Sequence, residues 1–325
     1  MPPDAVNYGG MESVILQSDR VRLVIRPDLG AGISDFSVKG PANFFHPLMR
    51  RSSDGETNPS NLACFVMAPW ANRIGGAMLS FAGANYKLKA TSSDGSAIHG
   101  DVRARSFAVL DRSPVSARFG FDSRGVADVN YPFPFEVIVR YEVQGLEVRV
   151  QVVVGNVGEN AMPAGCGIHP YFMRRLWADR DVVRISAPVW GRYELANRLA
   201  TKPAKPERLA ELLRQGCELP GEAIDAVFGG CDGAMTIAYP ASGVVVKMDG
   251  GSNQRQVVLF VPHVDDAPGS AQAPLPYFAL EPQTNVNDGF NLVERGAMTA
   301  ADAGMVLLKP GERLVTETVF TVGLA

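Results

Sequence analysis

The chain is written in short runs in which apolar and polar residues alternate. Val14 to Leu16, Val21 to Ile25 and Ile33 to Val38 read as strands, with turns punctuated by Pro27, Gly30 and Gly32. Residues 51–60 are polar and read as a surface loop, and Met78 to Phe81 and Tyr86 to Leu88 flank Gly83 as the arms of a hairpin. Phe107 to Asp111 and Ala117 to Phe121 are further strands. Glu136 to Tyr141 and Leu146 to Gly155 are rich in Val, and the alternation in Val148-Arg149-Val150-Gln151-Val152 suits one buried face. Val182 to Ala187, Met235 to Tyr239, Val244 to Met248, Val257 to Val261, Tyr277 to Leu280, Val306 to Leu308 and Leu314 to Val322 continue the series. Tyr131-Pro132-Phe133-Pro134-Phe135 cannot be a central strand, because two Pro remove ladder donors; an edge with inward aromatics is expected. The main helical spacing is Pro206 to Gln215, with Leu209, Leu212 and Leu213 on one face and Gly216 placed as a cap. So many strands with so little helix predict an all-β fold, a large antiparallel sandwich. No composition break divides residues 1–325, so a single domain is expected.

Composition narrows the function classes. A net charge of -3 at pH 7 argues against nucleic acid and against an anionic membrane surface as partners. No apolar run is long enough to span a bilayer, and residues 1–16 lack the basic start and apolar run of a secretory signal. Cys64, Cys166, Cys217 and Cys231 form no C-x-x-C pair, so reduced thiols and a cytoplasmic location are expected. The four His are spread along the chain without ligand spacing, so neither a metal nor another cofactor is expected.

Several residues carry candidate chemistry. In Gly165-Cys166-Gly167-Ile168-His169-Pro170-Tyr171-Phe172, Pro170 biases His169 towards an extended conformation. That predicts a rigid imidazole at a strand end between aromatic walls, suited to proton transfer or else structurally satisfied. Glu281 follows the apolar Phe278-Ala279-Leu280 and precedes Pro282; it reads either as a strand-end base with a raised pKa or as an edge carboxylate in solvent. Asn72-Arg73 lies between apolar and Gly-rich residues and offers a fork of donors, or an ordinary salt-bridged Arg. His99 precedes Gly100 and is a ligand contact or a structural His. Asp225, between Ile224 and Val227-Phe228, is a buried acceptor or a turn cap.

Taken together these segments resemble a family. Asn72-Arg73-Ile74, Tyr86-Lys87-Leu88, Ile98-His99-Gly100, Tyr131-Pro132-Phe133, Gly167 to Phe172 and Glu281-Pro282-Gln283-Thr284-Asn285 occur in the order seen in aldose 1-epimerases, the galactose mutarotases. The resemblance runs from about residue 20 to the C-terminus, and His-Pro-Tyr-Phe and Glu-Pro-x-Thr are its most specific parts. After His99 the chain departs from the best-known members: where they carry a second Gly and then a Trp, Asp101 and Phe107 stand in that region.

The resemblance implies a β-supersandwich with few short helices and interconversion of the α and β anomers of a free aldose. It implies Glu281 as the base on the anomeric hydroxyl and His169 as the acid on the ring oxygen. Arg73 (with its neighbour Asn72), His99 and Asp225 are implied as contacts to the sugar, a monosaccharide acted on by a monomer or homodimer. The rival readings are a phosphosugar epimerase, in which Arg103 and Arg105 would supply cationic groups, a sugar-binding module without catalysis, and a sandwich hydrolase pairing Glu281 with Asp225.

Overall fold

The structure is a computed structural model that describes residues 7–8, 11–264 and 273–324. Most of the strand residues lie in two large antiparallel sheets. One runs, from edge to edge, through Ala108–Arg112, Ser116–Asp122, Phe135–Gln144, Glu147–Asn156, Arg313–Leu324, Val244–Asp249, Met235–Tyr239, Arg184–Ser186 and Cys217–Glu218. The other runs through Gly191–Arg192, Ile224–Gly229, Gln256–Val261, Tyr277–Gln283, Gly167–Met173, Cys64–Met67, Gly32–Lys39, Val21–Arg26 and Val14–Gln17, with Phe45–Pro47 added beside Gly32–Lys39. The expected all-β sandwich is therefore the fold, with the helices among the described residues confined to short pieces.

The two sheets close on one core. Phe320 of the first sheet packs against Phe36 and Phe172 of the second, with ring centroids 5.8 and 6.4 Å apart. The period-2 pattern sorts the second sheet's residues by face. Cys64, Val66, Ile168, Phe172, Phe278, Leu280, Val257, Leu259, Ala226 and Phe228 enter the core shared with the first sheet. The alternate positions belong to other clusters: Phe65, Met67, Tyr171 and Ala279 to one, Val227 and Val258 to another. The second sheet thus has one face in the main core and one face free to carry a site.

Several expectations need correction. Tyr131 and Phe133 are buried as expected, yet they lie in an irregular segment and no edge strand forms; the strand starts only at Phe135. The helix runs Arg208–Gln215, starting two residues after Pro206, because Glu207 caps it by accepting from the Leu209 N–H at 2.9 Å. Gly289–Glu294 and Ala300–Ala303 are helices that no periodicity announced. His169 and Glu281 do not end their strands: each lies inside one, in Gly167–Met173 and Tyr277–Gln283. No helix among the described residues is long and apolar enough to cross a membrane.

Candidate active site

Two prolines in interior strands shape the centre of the second sheet. A Pro there withdraws a ladder donor. Pro170 and Pro282 sit in neighbouring strands, and pairing between these strands holds at Gly167–Gln283 and resumes only at Tyr171–Ala279. His169 and Glu281 face each other across this gap, their side chains on the free face. His169 Nε2 lies 3.0 Å from Glu281 Oε1, and both side chains are almost fully buried. The ladder is open where side chains rather than backbone link the strands.

Aromatic rings fix the imidazole. His169 stacks on Tyr171 at 4.3 Å between centroids and lies 4.5 Å from the Phe65 ring; His99 meets it edge-on at 5.4 Å. Low polarity around the pair disfavours charge on either member. Burial, followed by the charge of Asp225, raises the Glu281 carboxyl well above its usual value, and Arg73 opposes this. Burial, followed by the charges of Arg50 and Arg103, lowers the His169 imidazole well below its usual value. Glu281 Oε2 and His99 Nδ1 are buried without a hydrogen-bond partner among the described residues. Buried polar atoms of this kind call for partners, which a ligand hydroxyl can supply.

Arg73 is held from two sides. Its Nε donates to Asp94 at 2.9 Å and its Nη1 donates to Asn72 Oδ1 at 3.2 Å. Burial alone would raise the Asp94 carboxyl, but hydrogen bonds from the Ser96 N–H and from Arg73 outweigh it and hold it far below the usual range. The backbone carbonyl of Asn72 accepts the His99 N–H at 2.8 Å, so Arg73 and His99 share one support. His99 and Gly100 both take positive φ, at 62° and 72°. A Cβ on Gly100 would stand 2.0 Å from the Ala68 carbonyl oxygen, so the turn that presents His99 requires glycine. Burial, then the neighbouring charges of His169, Arg103 and Arg73, lowers the His99 imidazole well below its usual value.

Asp225 is neither the buried acceptor nor the turn cap anticipated for it. It is an exposed strand residue paired with Phe260, on the free face and near enough for its charge to act on Glu281. The structure thus gathers Asn72, Arg73, His99, His169, Asp225 and Glu281 around one patch of sheet. A separate cleft of about 520 Å³, lined by Met78, Ser80, Asp288 and Arg295, contains none of them.

With this geometry in view, comparison with known proteins decides the family. Residues 12–321 match the model of the aldose 1-epimerase family. The chain belongs to that family. It is 24% identical over 263 residues to the uncharacterized protein YphB of Escherichia coli K12, covering 79% of this chain and 83% of that one. A galactose mutarotase-like protein from Clostridium acetobutylicum superposes with a TM-score of 0.83 at 16% identity, covering 98% of this chain and 97% of that one. Galactose 1-epimerase from Lactobacillus acidophilus superposes with a TM-score of 0.66 at 12% identity, covering 98% and 97%.

Two residues of this aldose 1-epimerase family member were not foreseen in their places. Arg50 lies over the Tyr171 ring, its guanidinium carbon 3.5 Å from the centroid, and Arg103 lies 5.7 Å from the Phe65 centroid. Arg50 has no local motif around it. Arg103 was paired with Arg105 as a cationic candidate, but Arg105 is neutralised by both oxygens of Asp101 at 2.8 Å.

Proposed function

We propose that the protein is an aldose 1-epimerase, a mutarotase that interconverts the α and β anomers of a free aldose such as galactose or glucose. The contact of Glu281 with His169 at 3.0 Å in a buried aromatic setting carries this reading. Hemiacetal opening moves two protons. Glu281, as carboxylate, takes the proton of the anomeric hydroxyl, and His169, as imidazolium, gives a proton to the ring oxygen. The bond between the anomeric carbon and the ring oxygen breaks, leaving an aldehyde and a new hydroxyl. The aldehyde carbon rotates about its bond to the next carbon. Closure from the other face returns both protons, so the enzyme ends as it began.

Each of the two transfers contributes roughly 10²- to 10⁴-fold by general acid-base catalysis. The pair needs one proton between its members. A neutral carboxylic acid beside a neutral imidazole contains the same number of protons as a carboxylate beside an imidazolium. Burial favours the first arrangement before a sugar binds; the hydroxyls of the sugar stabilise the second. Arg73, oriented by Asp94 and Asn72, and His99, oriented through the Asn72 carbonyl, hold the ring oxygen and neighbouring hydroxyls. Asp225, exposed on the same face, accepts from a further hydroxyl.

Optical rotation tests the proposal directly. Freshly dissolved α-D-glucose and α-D-galactose reach their ordinary equilibrium rotation faster with catalytic protein and no added cofactor. A rate equal to that of buffer alone, for neutral and charged aldoses alike, rejects it.

A further inference from the structure

Arg50 and Arg103 form a cationic corner that the reaction above does not use. Arg50 donates from Nε to the Leu62 carbonyl at 3.0 Å and from Nη2 to the Ser60 carbonyl. Arg103 donates from Nη1 to the Ser60 hydroxyl at 2.9 Å. Two guanidiniums therefore converge on one residue, and both lie against site rings: Arg50 over Tyr171 and Tyr277, Arg103 over Phe65. Carbonyl and hydroxyl oxygens satisfy donors but leave two like charges anchored on one residue, Ser60, without a counter-charge, which is unfavourable away from bulk water.

Other arginines show what is missing. Arg51 pairs with Asp35, Arg73 with Asp94 and Arg105 with Asp101, each at 2.8 or 2.9 Å. Neither Arg50 nor Arg103 forms an ion pair among the described residues. Arg103 is nonetheless rigidly placed. The Gly30 N–H donates to the Arg105 carbonyl at 2.7 Å, and a Cβ on Gly30 would lie 2.7 Å from the Arg103 backbone, so the chain presses close behind it. A half-buried, positioned pair of guanidiniums without a carboxylate is a built anion site.

The corner also has a direction. Tyr171 and Phe65, the rings that Arg50 and Arg103 cover, lie on the His169 strand and on the next strand beyond it, whereas Asp225 lies two strands beyond Glu281 on the opposite side. If Glu281 addresses the anomeric carbon and His169 the ring oxygen, the corner faces the other ring carbon bonded to that oxygen and its exocyclic group. We propose that Arg50 and Arg103 bind an anionic oxygen group, a phosphate or a carboxylate, on the exocyclic carbon beside the ring oxygen of the aldose. This assignment rests on the mutarotase reading for its orientation, though the anion site itself stands on the arginines alone. The Tyr171 hydroxyl, kept protonated by burial on the ring that Arg50 covers, adds a neutral donor beside the same corner.

Calorimetry and mutarotation separate the possibilities, with glucose, glucose 6-phosphate and glucuronate as probes. The anionic sugars bind at least about tenfold more tightly than glucose, the effect of one charge-assisted contact, and the preference weakens with salt. Arg103→Gln and Arg50→Gln each reduce the ratio of anionic to neutral affinity by about tenfold or more. Arg103→Lys, which keeps the charge, retains part of it and guards against a folding artefact, with unchanged melting temperature as the control. Tight binding of glucose 6-phosphate alone names phosphate as the group; tight binding of both names a general anion site. Equal affinity for all three sugars, or a ratio untouched by either substitution, overturns the proposal while leaving mutarotation of glucose standing. Arginine-dependent anion binding without mutarotation of any sugar supports the anion site and rejects the mutarotase reading instead.

Discussion

Glu281 and His169 face each other at 3.0 Å, yet their surroundings are opposite in character. The carboxylate sits between a negative neighbour, Asp225, and a positive one, Arg73, which is already bound to Asp94. The imidazole sits between aromatic rings with two arginines beyond them. Burial discharges both groups, and on each side a like charge adds to the effect. The carboxyl is pushed up and the imidazole down, so the proton that the proposed mechanism requires on His169 rests nearer Glu281 before a sugar binds. The difference teaches that, in the proposed mechanism, the acid and base roles belong to the pair and emerge when substrate hydroxyls enter, not from either residue's preference alone.

The largest test of this asymmetry removes the base. Glu281→Gln keeps shape and hydrogen bonding but accepts no proton, and mutarotation falls at least about 100-fold. Polarimetry checks this, and retention of more than about a tenth of the wild-type kcat would show that Glu281 is not the base. His169→Asn follows at a comparable or somewhat smaller loss. Its pH profile is the sharper reading. In the wild type, kcat/KM is bell-shaped because activity needs one proton on the pair. In His169→Asn the only titrating member is Glu281, so residual activity rises with pH through the raised carboxyl pKa and does not fall again. An unaltered alkaline limb in this variant would assign that limb elsewhere, and its loss in His99→Asn would reassign the two imidazoles. His99→Asn itself retains part of kcat and raises KM several-fold, because the amide preserves hydrogen bonding to the sugar.

How much of this could be read from the sequence differs between the two halves. Phe135–Gln144, Met235–Tyr239 and Val244–Asp249 were legible because period-2 alternation survives in them, whereas Gly32–Lys39, Cys64–Met67 and Tyr277–Gln283 are buried at nearly every position and show none. Glu281, His169, Arg73 and His99 were legible because short motifs surround them. The strand-end placement of His169 was misread for a definite reason. Pro170 within a central strand is unfavourable locally, and the matching Pro282 that opens the ladder lies in a strand far along the chain. Asp94, which orients Arg73, lies in a Ser-, Asp- and Gly-rich loop where no spacing marks it out, and Arg50 carries no motif at all; both act through contacts that only the fold makes. The helices Gly289–Glu294 and Ala300–Ala303 are too short for periodicity to register, and helices of that length depend on packing rather than propensity.

The smallest effect is on stability, and it separates the two halves most cleanly. A carboxyl whose folded pKa is raised favours the folded state below its unfolded value, near 4.5, and that stability is lost as pH climbs towards the folded pKa. An imidazole whose folded pKa is lowered stabilises above its unfolded value, near 6.5, and that stability is lost as pH falls towards the folded pKa. Between the two unfolded values the slopes cancel, since the folded pair and the unfolded pair each hold one proton. Below that window the unfolded chain binds the extra proton; above it the folded chain does. The pair therefore contributes a plateau between pH 4.5 and 6.5 with falling arms on either side. Each arm has a slope of at most about 1.4 kcal/mol per pH unit. Glu281→Gln deletes the alkaline arm and moves the maximum above the window. His169→Asn deletes the acid arm and moves it below. Urea midpoints measured across pH 4 to 9 on wild type and both variants read these shifts as differences in which other titrating groups largely cancel. Displacement of both maxima in the same direction would mean that the two environments are not opposed, and the asymmetry between the halves of the site would fail with it.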